Sequence, residues 1–417
     1  MPRIAMVAAI LVMLTSSFDV FLVVQAGGTF RFCHLVTLIL VVIAALRIAS
    51  RGEISTLGAL PLFAWWLVQL VFVPVTEFWV KSLAYCSWLL LDLALMVSFV
   101  QLFSSSTRVL AKLLNWYLYS FGIVALFGIL QFFLGLAGLP APFAEEWWIP
   151  GQIVRVNGFS YEPSYFATYL LIGFVLIRAL KPQSRTIRII FWLITIAIVL
   201  SSSRLGITFM LLDIVFSYLP KLSKVHRQPI RIRKIALAAV ISVCLFKAAA
   251  VLEDHPETIT LLLGGTGLYG SAAHSVLDRE NSFVDTLTVF EQNPLLGRSL
   301  GGVSYAIGEL HGLRIASFKE SKLFEGMSVF SEALAASGVI GILPFILFLA
   351  VTIYKPLKLA KSASPYYAVW LTALVRALIF EWAILQFNQN MLRPYLWVHL
   401  AILATVYASA LKAPRDA

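Results

Sequence analysis

The sequence predicts an all-α integral membrane protein of about twelve transmembrane helices, interrupted by one large outer loop built from short helices. Composition is the first observation behind this. Of 417 residues, 60% are hydrophobic and only 13% charged, against about 25% charged in soluble domains. The second is spacing, because apolar runs long enough to cross a bilayer recur along the chain. The third is where the charges fall. The net charge of +11 lies in short clusters between apolar runs and forms no single basic patch, which speaks for membrane topology and against a nucleic-acid partner.

The expected spans lie near 4–25, 32–48, 57–75, 82–103, 114–136, 163–180, 186–203, 204–220, 233–252, 327–354, 365–387 and 391–411. Residues 1–25 read as the first span because no small-residue cleavage site closes them. Three parts follow: 1–252 with nine spans and a short outer segment near 137–162, a large outer loop at 253–326, and the last three spans at 327–417. With the N-terminus inside, 20 of the 32 basic residues fall in inner segments, including every dense cluster. The positive-inside rule therefore places both termini in the cytoplasm. Cys33, Cys86 and Cys244 lie in or beside apolar runs and offer neither a disulfide framework nor metal spacing.

The outer segments carry the unusual chemistry. Near 137–162, Trp147 and Trp148 suit a membrane interface. Arg155-Val-Asn-Gly158 then leads to Tyr161-Glu162-Pro163-Ser164, where Pro163 fits the first turn of a helix and Glu162 its positive end. Ser201-Ser-Ser-Arg204-Leu-Gly206 is wedged between two apolar runs. An arginine at mid-membrane costs ~2.5–3.5 kcal/mol on insertion scales, so it faces a polar cavity or a partner. The plainer account is a tight turn whose arginine snorkels to the headgroups.

The large loop holds Asp278-Arg279-Glu280 and Asn293-Pro294-Leu-Leu-Gly297-Arg298. Phe283, Leu287 and Phe290 mark a short amphipathic helix that Asn293-Pro294 would stop, with Arg298 on a solvated surface. Arginines at one face suit a diphosphate, because the guanidinium fork bonds phosphate oxygens bidentately and keeps its charge. The expectation is an outward-facing site for a lipid pyrophosphate. Asp19, Asp92, Asp213, Arg376 and Glu381 lie inside spans and should face the bundle interior, as structural pairs ahead of any conduit.

These segments, in this order, resemble the O-antigen ligase/polymerase superfamily. The likeness rests on Arg155-x-x-Gly158 with Pro163 following, Ser203-Arg204-x-Gly206, and Arg279 with Phe283 four residues on, where Trp is commoner. Pro294-Leu295-Leu296-Gly297 follows fifteen residues after Arg279, and Gly338-Val-Ile-Gly341 opens the next span. The resemblance implies a GT-C-like glycosyltransferase in the bacterial inner membrane, working at the periplasmic face on undecaprenyl-pyrophosphate-linked glycan. Arg155, Arg204 and Arg279 would hold the pyrophosphate. The acceptor would be another lipid-linked glycan or the lipid A core, a chain-length regulator is a further possible partner, and neither metal nor other cofactor is implied.

One departure matters. Ligases of this kind carry a His-Asn pair where Met327 and Ser328 stand here. The remaining candidates for the base are Glu325, His311 and Glu162, each of which also fits a structural or solvated role. The missing histidine tilts the expectation towards a repeat-unit polymerase. A ligase or protein O-oligosaccharyltransferase is the first alternative, and a lipid-linked sugar transporter the second.

Overall fold

The structure is a computed structural model that describes residues 2–25, 29–51, 56–76, 78–149, 151–181, 184–223, 272–315, 318–321, 324, 326, 328–387 and 391–413. The described residues form an all-α membrane architecture with two small hairpins. Helix α1 (Pro2–Thr15) leads to the β1–β2 hairpin (Val23–Gln25 and Thr29–Arg31), then to α2 (Phe32–Arg51), α3 (Ala59–Phe72), α4 (Trp79–Phe103) and α5 (Thr107–Leu136). A second hairpin, β3–β4 (Glu146–Ile149 and Ile153–Arg155), precedes α6 (Pro163–Leu180), α7 (Arg185–Ser201) and α8 (Arg204–Ser223). The later elements are α9 (Ala272–Gln292), α10 (Val303–Leu310), α11 (Phe318–Ser321), α12 (Val329–Ala360), α13 (Pro365–Ile384) and α14 (Pro394–Lys412).

Among the described residues, seven helices are long and apolar enough to cross a membrane: α2, α4, α5, α6, α12, α13 and α14. Proline sets three of their starts. Pro163, Pro365 and Pro394 each occupy the first turn of their helix, where a missing N–H costs nothing and φ is already helical. Helix α14 sits at the centre, with 83% of its apolar window buried inside the bundle against 33% for α2. The expected span at 233–252 lies outside the described residues.

The expected first span at 4–25 is shorter in the structure. The helix ends at Thr15, where Thr15 and Ser16 turn their hydroxyls back onto the carbonyls of Leu11 and Met13 at 2.7 and 3.0 Å. Such back-bonds compete with the helical ladder. The chain then turns towards Asp19, which is held by two arginines. The expected division between the seventh and eighth spans is present: α7 and α8 are separated by Ser202 and Ser203 alone.

The two ends of the bundle differ. At one end gather the hairpins, the α7–α8 turn, α9 to α11 and the start of α14; Asp19, for example, receives both Arg31 and Arg393 there. At the other end Arg47 donates to the Leu102 carbonyl and the Ser105 hydroxyl, and Lys412 to the Ser104 hydroxyl. Asp213 and Glu381 find partners on neighbouring helices, whereas Asp92, also expected to pair, is buried on α4 with no ion pair among the described residues. Arg376 of α13 and Arg178 of α6 both pair with Asp213 of α8, and Arg376 also donates to the Ser217 hydroxyl at 2.5 Å. Glu381 of α13 meets His399 Nδ1 of α14 at 2.6 Å. The other ring nitrogen faces the Leu374 carbonyl at 3.1 Å. A carbonyl only accepts, so Nε2 carries a proton.

Helix α12 is broken at Gly338, whose φ of 62° and ψ of −176° lie outside the helical region. The break is filled by the chain leaving α9. In an intact helix the amides of Val339 and Ile340 would bond the carbonyls of Ala335 and Ala336. Instead those carbonyls accept from Arg298 and Ser299 at 2.9 and 2.8 Å, while Val339 and Ile340 donate to Pro294 and Leu295 at 2.8 and 3.4 Å. The loop thus enters the ladder and satisfies both of its cut edges.

Two glycines make this approach possible. A Cβ on Gly297 would lie 2.4 Å from the Ala336 carbonyl carbon, and one on Gly338 would lie 2.3 Å from that of Leu295. Helix α3 closes the joint. Gln69 accepts from the Leu300 amide at 3.0 Å and donates to the Ser337 hydroxyl at 2.7 Å, and Trp65 donates to the same hydroxyl at 2.9 Å. Arg298, expected on a solvated surface, is half-buried here because its backbone belongs to this joint. Helix α9 also starts earlier than the expected Phe283–Glu291 segment, at Ala272, and it stops before Asn293-Pro294 as the sequence indicates.

Gly338→Ala should lower the thermal stability of the purified protein by the equivalent of about 1–3 kcal/mol from backbone strain alone. Heating followed by size-exclusion measurement of the surviving monomer checks it. The same change at Gly138, which also has positive φ but open space around its Cβ, should cost less.

Candidate functional site

The site is built at the end of the bundle that carries the hairpins, around the turn between α7 and α8. Each serine of that turn has a backbone task. Ser201 returns its hydroxyl to the Ile198 carbonyl at 2.6 Å. Ser202 adopts the left-handed conformation that ends α7, with φ 51°. Ser203 caps α8, accepting from the Gly206 amide at 3.2 Å, the usual service of a serine at a helix start. Arg204 is then the first helical residue of α8.

Arg155 comes to the same turn from the β3–β4 hairpin. Its Nε donates to the Ser201 carbonyl at 3.3 Å, and the neighbouring Val156 amide donates to Leu200 at 3.4 Å. Opposite it across the hairpin, Glu146 accepts from its Nη1 at 2.6 Å. Arg155 thus contacts the residue three positions before Arg204. The two arginines were far apart in sequence, and the fold brings their segments into one junction.

Glu162 stands immediately before α6 and receives the Ser164 hydroxyl on its own carboxylate at 2.9 Å. Helices α6 and α8 touch just beyond their first turns, where a Cβ on Gly206 would lie 2.6 Å from the Cβ of Ala167. Two helix N-termini therefore lie side by side, with Glu162 at one and Arg204 at the other. Exposed N–H groups and parallel dipoles make such an end favourable to negative charge.

The other sequence-predicted residues are placed less closely. Arg279 belongs to α9, and position 279 shares a helix face with Thr286, two turns further on. His311 is exposed, its Nε2 2.8 Å from Asp285 of α9. Asp285 is turned about 120° around α9 from position 279, so His311 holds a different face of that helix. Glu325 lies outside the described residues.

One cluster was not foreseen as a unit. Asp19 accepts from Arg31 at 2.9 Å and from Arg393 at 2.6 Å, and the Arg393 guanidinium lies over the Tyr165 ring, 3.8 Å from its centre. Asp19 also donates its amide to the Phe159 carbonyl at 2.8 Å. Its partners thus bracket the Tyr161-Glu162-Pro163-Ser164 segment on both sides. The signal was present in the sequence, since Arg31 and Arg393 are both basic residues outside the inner clusters. Burial works against ionisation of Asp19, yet Arg393 and then Arg31 outweigh it and hold the carboxyl below its ordinary range.

Compared with known proteins, the chain matches no family model and no curated relative.

The lowered pKa of Asp19 has a definite consequence for stability. A depressed carboxyl contributes stability that is present above its unfolded value of about 3.9 and lost as pH falls through the folded value. Thermal stability should therefore fall below about pH 4. Asp19→Asn should flatten part of that fall and cost about 3–5 kcal/mol at neutral pH, because two arginines lose their counter-charge. Melting curves of both proteins across pH check this.

Proposed function

We propose that this chain is a polymerase of undecaprenyl-pyrophosphate-linked oligosaccharide repeat units, working at the periplasmic face of a bacterial inner membrane. The observation that carries the reading is the junction of Arg155 with the Ser201–Arg204 turn, 3.3 Å from Nε to the Ser201 carbonyl. It supplies two arginine-bearing segments and two helix N-termini at one end of a membrane bundle. A pyrophosphate on a polyprenyl chain has matching form: a dianionic head at the interface and a tail in the bilayer. The joint of Pro294–Ser299 with the broken helix α12 supports it further. It ties α9, which carries Arg279, to the membrane helices.

In this reading twelve spans form a GT-C-type fold with both termini in the cytoplasm. The basic residues near Arg47, Lys361 and Lys412 mark the cytoplasmic end. The acceptor is the terminal sugar of a second lipid-linked repeat unit. Its hydroxyl oxygen attacks the anomeric carbon of the donor glycan while the bond from that carbon to the pyrophosphate oxygen breaks. The electron pair leaves with undecaprenyl pyrophosphate, whose charge Arg155, Arg204 and Arg279 stabilise as it develops. The displacement is in line and inverts the anomeric centre. A metal-independent mechanism needs these cations, because the leaving group carries two negative phosphates.

Replacing Arg155, Arg204 or Arg279 by alanine should reduce polymer formation about 100-fold or more in proteoliposomes supplied with a defined lipid-linked repeat unit. Lysine should restore little at Arg204 and Arg279, because the fork is lost while the charge stays. Wild-type turnover in all three alanine variants would overturn the reading. Deleting the gene distinguishes the acceptors: a polymerase leaves single repeat units on the surface glycan, whereas a ligase leaves long chains on the lipid carrier.

A further inference from the structure

Breaking the acceptor O–H requires a base within one hydrogen bond, directly or through a water. Among the loop-end side chains that the structure describes between 281 and 360, Asp285, Glu291, Glu309 and Glu320 all keep contact with solvent. Glu332 alone among these carboxylates is buried, at 7% exposure. It sits in the first turn of α12, one turn after the capping residue Ser328, whose carbonyl accepts the Glu332 amide at 2.9 Å.

Its place relative to α9 is what gives it a role. A Cβ on Gly326 would lie 3.1 Å from Thr286 Oγ1 and 3.5 Å from the Glu332 Cβ. Thr286 of α9 and Glu332 of α12 thus flank the same point. Position 279 lies on the Thr286 face of α9, two turns and roughly 10 Å along the axis. Glu332 therefore lies against the face of α9 that carries position 279, about two turns along it. Glu332 is also fixed to the joint at Gly338, six residues on, so its position is rigid relative to the loop.

We infer that Glu332 is the general base of the transfer, a role that rests on the polymerase reading above. Its carboxylate takes the proton from the acceptor hydroxyl as that oxygen bonds the anomeric carbon. The carbon–pyrophosphate oxygen bond breaks with its electron pair on the leaving group. The resulting glutamic acid returns its proton to water once the product has moved on.

The test uses the full-length protein in proteoliposomes with a defined lipid-linked repeat unit, and undecaprenyl pyrophosphate itself as the binding probe. Glu332→Gln should lower kcat about 100-fold or more. Its KM for the donor, and the rise in melting temperature caused by undecaprenyl pyrophosphate, should stay close to wild type. The residual activity of Glu332→Gln should no longer fall on the acid side of the pH profile. Glu332→Asp should keep part of the rate, with the acid limb displaced.

Turnover by Glu332→Gln near the wild-type rate would overturn the inference. So would an acid limb unchanged in Glu332→Asp, which decides the matter even where the glutamine variant does not fold. A wild type that binds undecaprenyl pyrophosphate but joins no sugars removes the polymerase reading and this role with it. An active wild type with an indifferent glutamine variant removes this role alone.

Discussion

The structure depends on a hydrogen-bond exchange inside helix α12. Four backbone groups that would have bonded one another, the carbonyls of Ala335 and Ala336 and the amides of Val339 and Ile340, are instead bonded to residues 294–299. A cut ladder in an apolar setting is costly, since each unsatisfied group there costs several kcal/mol. The loop segment removes that cost at both edges at once. The consequence is positional: the chain that leaves α9 is not draped over the bundle but is part of one of its helices. The end of α9 is therefore tied directly to a membrane helix.

The same logic governs the charges. Two carboxylates inside the bundle are held by groups from other helices: Asp213 by Arg178 and Arg376, Glu381 by His399. These contacts act as specific cross-links between α6, α8, α13 and α14, because misplacing any helix would leave a charge in an apolar environment. At the hairpin end Asp19 does the same for α1, β2 and α14. It fixes the start of α14 beside Tyr165 and so steadies the first turn of α6, where Glu162 stands. Packing of small residues, as at Gly206 against Ala167, supplies the close approach these pairs need.

Much of this was legible in the sequence, for identifiable reasons. Seven of the twelve expected spans correspond to long apolar helices among the described residues, because hydropathy over about 20 residues is a strong signal. The α7–α8 turn was readable because three serines between apolar runs have few other uses. The end of α9 at Asn293-Pro294 followed from proline chemistry. What escaped was long-range pairing. Pro294-Leu-Leu-Gly297 and Gly338-Val-Ile-Gly341 looked like two separate motifs, and nothing local says that one enters the hydrogen-bond ladder of the other. The expected first span failed for a related reason, since Asp19 is drawn away by Arg31 and Arg393, one of them 374 residues distant. Glu332 reads in sequence as an ordinary first-turn acid at the start of a helix, and only the fold shows it buried beside Thr286.

Arg204 illustrates how a structural and a functional account can both hold. Backbone groups of the turn are met by Ser201, Ser203 and the backbone itself. A cation at the first position of a helix is opposed by the helix dipole, by about 0.3–1 kcal/mol. Arg393, at the start of α14, stands in the same unfavourable position, and there Asp19 supplies the opposing charge. Arg155, beside the α7–α8 turn, has Glu146. An anion arriving at the α8 terminus would be stabilised by the dipole and by Arg204 together, and the adjacent start of α6 adds a second dipole of the same sign. Local turn chemistry thus explains the serines. On the proposed reading, the arginine at this position serves the pyrophosphate of the lipid carrier.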